Sequence, residues 1–196
     1  MSPAAQSTRS RPAADRAGAV RAALRRLVAE RGFHGASMGA VAREAGVATG
    51  TAYVHYASKD ELVLAAYIET KARLGEAAIA AGAEPGLAPA DLFCAIWKGV
   101  HGFFAAEPEE ARFLIQVEGS PYGRLAHEAA MAREDDPLVA ATEAPEMKAL
   151  LRPLPLDVLY EIGLAPAVRL AARGIELSDE ELDLTARACW RAVSAG

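Results

Sequence analysis

Residues 37–60 read SMGAVAREAGVATGTAYVHYASKD, and the spacing of apolar and small residues in this stretch decides the fold. Ser37 caps a first short helix in which Met38, Val41, Ala42 and Ala45 fall at i, i+3, i+4 and i+7 on one face. Gly46 supplies the left-handed residue that ends it. After a turn of about three residues, the pattern predicts a second short helix over 49–56, with Val47 buried before it and Ala52 and Tyr56 four apart on its inner face. Thr49, Gly50, Thr51, Tyr53 and His55 are then left on the outside. Hydroxyls, an imidazole and a close-approach glycine suit phosphate oxygens and base edges, and the helix start adds its dipole and N–H groups. Ser58-Lys59-Asp60-Glu61 has the S-x-x-E form of a capping box opening a third helix. Lys59 opposes that helix's dipole, for which a phosphate partner is a rational explanation.

Two short amphipathic helices joined by Gly-Val also occur in ordinary helical proteins, so the pattern alone leaves DNA reading and plain packing both open. A longer run narrows the choice. ASMGAVAREAGVATGTAYVHYASKDELVLAAY, residues 36–67, resembles the N-terminal signature of the tetracycline-repressor-like (TetR) family of bacterial transcription regulators. The matching features are a small-residue cap before M-x-x-V-A-x-x-A-G-V, then G-T-x-Y-x-H-Y/F, then S-K-x-x-L. Ala52 stands where a larger aliphatic is usual and Ala57 where proline or glycine is frequent. The resemblance implies a helix-turn-helix with DNA contacts from Ser37, Arg43, Ala48, Thr49, Gly50, Thr51, Tyr53, His55 and Lys59.

Charge agrees with a phosphate-binding head. Residues 1–60 carry nine Lys/Arg against four Asp/Glu, a balance of +5, and the remaining residues carry twelve against twenty-two, a balance of −10. An acidic body also repels misplaced DNA. At 196 residues and 52% hydrophobic, the chain can bury a sizeable core. There is no apolar run near 18 residues and no signal-peptide pattern, so a cytoplasmic protein with no membrane partner is expected. Cys94 and Cys189 sit inside apolar helical patterns with no metal-ligand spacing. They read as buried thiols, with no metal site and no cofactor.

Working outward, residues 1–13 read as a disordered polar arm whose Arg9 and Arg11 could either reach a minor groove or simply solubilise the chain. A helix follows over 14–31, with Ala17, Val20, Leu24, Leu27 and Val28 on one face and Gly32 ending it. Phe33 is placed to anchor the loop against the small three-helix core. The predicted units are this arm, a helix-turn-helix domain over 14–58, a connecting helix over 59–81, and an effector-binding and dimerisation domain over 82–196. Further helices are predicted over 88–106, 108–119, 121–134, 138–151, 154–173 and 179–194, with Pro166 kinking or dividing the long one and Ser178-Asp179-Glu180-Glu181 capping the last. No glycine-flanked β-branched run has strand length, so the fold class is all-α.

Phe93, Trp97, His101, Phe104, Phe113 and Tyr122 gather aromatic and polar groups in the middle of the chain. The stripe Phe93, Trp97, Val100, Phe104 has helical spacing, which by itself favours core. The family resemblance implies an effector cavity here, and these six residues are its candidate lining. The last two helices carry broad apolar faces with small residues, which suit either an internal core or a two-fold interface. The resemblance favours a homodimer, with Leu159, Gly163, Leu170, Leu182, Ala186, Cys189, Trp190 and Val193 as candidate interface residues. Pairing two reading helices would address a palindrome in double-stranded DNA.

The function expected is therefore a ligand-responsive transcriptional repressor released from its operator by a small-molecule effector. An activator or an effector-independent regulator stands beside it, and so does an all-α carrier or enzyme with no DNA role. Against an enzyme, the sequence shows no nucleophile–base–orienter set, no H-E-x-x-H and no phosphate loop, and no catalytic residue is assigned.

Overall fold

The computed structural model of the chain describes residues 13–132 and 145–195. Residues 1–12 of the predicted arm, and residues 133–144 with the parts of the two predicted helices that fall on them, lie outside the described residues. The described chain is helical, with one isolated antiparallel bridge between Leu151 and Ser194. The helices are α1 (Ala13–Gly35), α2 (Met38–Glu44), α3 (Thr49–His55), α4 (Lys59–Ala81), α5 (Pro89–Ala106), α6 (Pro108–Glu118) and α7 (Gly123–Met131). Then come a single turn α8 (Pro145–Lys148), α9 (Leu156–Gly163), α10 (Ala165–Ala172) and α11 (Asp179–Val193).

Their ends follow from local chemistry. Gly32 stands at φ 66°, ψ −178°, so the first helix breaks there and resumes for one turn to Gly35. Ser37 Oγ accepts from the Ala40 N–H at 3.2 Å. Gly46, at φ 69°, closes α2 with the paired bonds Val47 N–H to Ala42 O and Gly46 N–H to Arg43 O, the arrangement a left-handed residue at a helix end makes possible. Ser58 caps α4 by accepting from Glu61 N–H, while the Glu61 carboxylate reaches past the cap to Ala57 N–H at 2.7 Å. The reciprocal capping box predicted at Ser178 and Glu181 is complete. Pro166 divides the predicted 154–173 helix: α9 ends before Leu164, and the proline, which has no N–H to donate, sits in the first turn of α10.

Helices α1 to α3 form a small head. Val20, Leu24, Val28, Val41, Ala42 and Ala52 are completely buried between them. α4 runs from this head into the body, packing on α1 at one end and on α5 and α7 farther along. Helical spacing alone predicts an apolar face at Leu62, Ala65, Ala66, Ile68, Ala72 and Leu74. The structure instead buries Leu62, Val63, Ala66, Tyr67, Thr70, Leu74, Gly75 and Ala78. A helix enclosed on more than one side needs a broader apolar surface than a single amphipathic stripe. α5 lies between α4, α10 and α11, and accordingly buries Cys94, Trp97, Val100, His101 and Phe104. Its close approach to α4 depends on Gly99, where a Cβ would stand 2.3 Å from that of Ala81. Both cysteines are buried free thiols. Among the described residues, no helix is long and apolar enough to cross a membrane, and no group of three or more His, Cys, Asp or Glu side chains is placed to hold a metal ion.

Candidate nucleic-acid interface and effector cavity

Two regions concentrate polar groups that the core does not use. The first is the outer face of the head. Thr49, Gly50, Tyr53 and Val54 are exposed on α3, Ala48 just before it, Ser37 and Arg43 on or before α2, while Thr51 and His55 are half-buried. Val54 is the most exposed large apolar residue of the described chain, at 82%, and it was not among the residues the pattern placed outward. The signal that could have found it is the burial of its neighbours. If Ala52 and Tyr56 face in, Val54, two residues from each, must face out.

Ser37, Tyr53 and Lys59 meet around an open concavity of about 470 Å³, together with Phe33, His34, Met38 and Gly39. Lys59 also has work inside the chain. Its Nζ donates to Phe33 O and lies 5.8 Å from the centre of the Phe33 ring. The lysine at the start of α4 thus satisfies the carbonyl of a residue in the last turn of α1, and burial pushes its pKa down.

The basic balance of the head divides in the same way. Arg21 and Arg25 are held by partners within the chain. Arg21 bonds the Tyr56 hydroxyl and Glu69, and Arg25 bonds Glu69 and pairs with Glu110 at 3.2 Å. Arg26 pairs with Glu44 at 3.2 Å and Arg31 with Glu30 at 3.6 Å. Part of the positive charge counted from the sequence is therefore spent on joining head to body.

A second junction involves Tyr122. Its ring lies 5.0 Å from Phe33 and its hydroxyl donates to Asp60 Oδ1 at 2.8 Å. Phe33 thus packs onto the body, not only onto the three-helix core. Tyr122 lies immediately before α7 and touches the head, outside the lining of the cavity described next.

That cavity is the second region. It measures about 410 Å³ and is enclosed by α4, α5, α7, α9 and the ends of α6 and α11. Leu74, Leu92, Phe93, Ile96, Leu159 and Leu164 supply most of its apolar wall. Tyr67, Lys71, Glu118 and Tyr160 form a polar end, and Arg124, His127, Asp157 and Glu161 stand at the rim. Of the six predicted lining residues only Phe93 borders it. Trp97, Phe104 and Phe113 are completely buried in packed core, with Trp97 Nε1 donating to Gly163 O at 3.1 Å. His101 is buried and stacked on Trp97 at 5.8 Å, and burial lowers its pKa, favouring the neutral ring.

Residues the sequence assigned elsewhere take their place. Tyr67, Lys71 and Leu74 recur at i, i+4 and i+7 on the connecting helix, so a lysine sits within an otherwise buried face. That intrusion was the readable sign of a polar cavity. Leu159 and Val193, candidates for a dimer interface, also line the cavity. Gly163, Ala186, Cys189 and Val193 are buried within the chain itself, and Trp190 packs 5.5 Å from Phe93. Leu170 and Leu182 are half-buried against the same core.

Comparison with known proteins joins the two regions. Residues 14–66 match the family model of bacterial regulatory proteins of the tetR family, and residues 90–194 match that of the tetracyclin repressor-like C-terminal domain. No curated protein matches the sequence. Among solved structures, a TetR family transcription regulator from Marinobacter aquaeolei VT8 superposes with a TM-score of 0.75 at 23% identity, over 92% of this chain and 96% of that one. A TetR-family transcriptional regulator from Haemophilus influenzae Rd gives 0.73 at 24%, over 92% and 97%. A TetR-like transcriptional regulator from Rhodococcus sp. RHA1 gives 0.65 at 26%, over 93% and 98%.

Proposed function

Since this chain belongs to the TetR family of bacterial regulatory proteins, we propose that it is a homodimeric repressor released from a palindromic operator by a small molecule bound in the 410 Å³ cavity. The observation that carries the reading is the continuity of α4. The helix begins at Lys59, three residues after the buried Tyr56 that follows the reading helix, and its Tyr67, Lys71 and Leu74 wall the cavity. A ligand that moves α4 by a few ångströms would therefore move the head. Two reading helices must meet successive major grooves about 34 Å apart, so displacing one weakens both. A coupling of about 1–3 kcal/mol would reduce occupancy about 5- to 150-fold.

In this reading Tyr53 and Val54 face base edges, and Thr49, Ser37 and Arg43 face phosphates. Selection of bound sequences from a random duplex pool, at physiological salt, is expected to enrich a palindrome with half-sites about one helical turn apart. Weak, salt-sensitive binding with no enrichment would leave the head without a reading function.

For pairing, the surface points to residues other than those read from periodicity. Val158 and Ile162 are exposed four apart on α9, with Leu154 exposed just before it, and Leu184, Ala188 and Ala192 are exposed at the same spacing on α11, with Leu184 59% exposed. Apolar stripes on the neighbouring helices α9 and α11 suit a two-fold four-helix contact. The double variant Ile162→Glu/Leu184→Glu is expected to sediment as a folded monomer. If it sediments with the parent, the contact lies elsewhere.

A further inference from the structure

Resting on the reading of the cavity as the effector site, we propose that the ligand it takes is an amphiphilic organic cation. The ammonium would lie between the Glu118 carboxylate and the face of Tyr160, with the apolar body among Leu74, Phe93, Ile96 and Leu164.

The polar end of the cavity is a carboxylate among phenol rings. Tyr67, Tyr160 and Glu118 all border it. Burial first, and then the negative charges of Glu118 and Asp157, hold the Tyr67 phenol protonated. Tyr160 is held the same way by burial and then by Glu118, with Glu161 contributing. The field that the cavity acids impose on both rings is therefore negative. Burial pushes the Glu118 carboxyl up, opposed by the charge of Lys71, so an incoming cation would draw the carboxyl toward its ionised form.

The rim cations are already engaged. Arg124 pairs with Glu128 at 2.6 Å, His127 with Asp157 at 3.3 Å, and Arg169 with Glu161 at 2.6 Å. An anionic headgroup at the rim would have to displace one of these carboxylates, whereas a cation can go directly to Glu118, the exposed acid at the end of α6.

The chain itself supplies the model for that cation. Lys71 Nζ stands 4.9 Å from the centre of the Tyr160 ring. An ammonium over a tyrosine face is a favourable contact, and it strengthens when water is excluded. Lys71 has a flexible four-carbon stem and can withdraw, leaving its seat to a ligand. Because Lys71 belongs to α4, its displacement acts on the helix that carries the head. The volume, about 410 Å³, is in the range of cavities that enclose small amphiphiles.

The probes are dodecyltrimethylammonium and dodecanoate, both below their micelle concentrations. They are titrated by calorimetry and by tryptophan fluorescence in a Trp97→Phe background, which isolates Trp190, packed on the cavity residue Phe93. The cation is expected to bind at least about tenfold more tightly than the anion. Glu118→Gln, which keeps shape and removes charge, should weaken the cation about 10- to 100-fold. Lys71→Met, which removes the ammonium that competes for the seat, should tighten cation binding and so provides a second, independent readout.

Dodecanoate binding more tightly than the cation, with loss in Lys71→Met, would overturn the ligand class and keep the cavity as an effector site. Cation binding that is indifferent to Glu118→Gln would also overturn it. Failure of both probes to bind would remove the cavity reading together with the class. Cation binding with the predicted Glu118 dependence, but without release of the selected operator, would uphold the class and reject the regulatory role.

Discussion

Val54→Asp is expected to leave the fold intact and to lower operator affinity by between about 30-fold and 20,000-fold. The side chain is 82% exposed and lies outside the buried cluster of the head. Exposed substitutions of this kind change stability by no more than about 0.5 kcal/mol. In the groove the same change replaces an isopropyl group, suited to a thymine methyl, with a carboxylate facing base-edge acceptors and a dense phosphate charge. A disfavoured contact costs about 1–3 kcal/mol in each half-site, and a dimer meets it twice, giving about 2–6 kcal/mol. Fluorescence anisotropy with the selected operator at fixed salt measures the loss, and a melting curve checks the fold. Val54→Thr, nearly isosteric, should lose far less. Unchanged affinity in Val54→Asp would mean that α3 does not enter the groove.

That prediction rests on the part of the molecule that was most legible in the sequence. The caps at Ser37 and Ser58 and the left-handed Gly46 are local devices, each decided by a few neighbouring residues, and each is present in the structure. Charge was less transparent. Lys/Arg counting sees a basic head, but it cannot see that Arg21 and Arg25 meet Glu69 and Glu110, which lie 44 to 85 positions away in the chain. Lys59 shows the same limit: its place at a helix start suggested a phosphate, and the structure gives it the carbonyl of Phe33.

The cavity was the least legible element, because its wall is assembled from helices remote in sequence. Aromatic residue type drew attention to Trp97, Phe104 and Phe113, yet α5 is covered by α4, α10 and α11 along the part that carries Trp97 and Phe104, so those rings fill core. Phe93, nearer the start of α5, reaches the cavity. What marked the site in the sequence was polarity where a buried face should be apolar: Lys71 between Tyr67 and Leu74. An ionisable group inside an apolar pattern carries a desolvation cost that a purely structural position would avoid.

The same argument applies to Glu110, and Glu110→Ala is expected to destabilise the protein by about 3–5 kcal/mol, read by denaturant unfolding at neutral pH. Glu110 is 5% exposed in the first turn of α6, where the helix dipole favours its charge. It accepts from Thr70 Oγ1 at 3.1 Å and from Arg73, and pairs with Arg25. Its removal leaves Arg25 of α1 with Glu69 and Arg73 of α4 with Glu107 at 3.8 Å, the two arginines converging on an empty site. Burial alone would raise the Glu69 carboxyl, but hydrogen bonds and charges from Arg21 and Arg25 outweigh it and hold the pKa at about 2, against an ordinary value of 4.5. A folded-state pKa below the unfolded one stabilises fully above pH 4.5, and the contribution is lost as pH falls toward about 2. Stability of the parent should therefore fall across that window, and that of Glu69→Gln should be flatter there. The cluster spans α1 of the head and α4 and α6 of the body, so it is also placed to transmit ligand binding. Trp97→Ala, a core truncation of comparable cost at a site outside the cluster, supplies the contrast. If both variants lose stability but only Glu110→Ala loses effector-driven release from DNA, the cluster couples the two domains. If both respond to effector as the parent does, the ion pairs only hold the fold together.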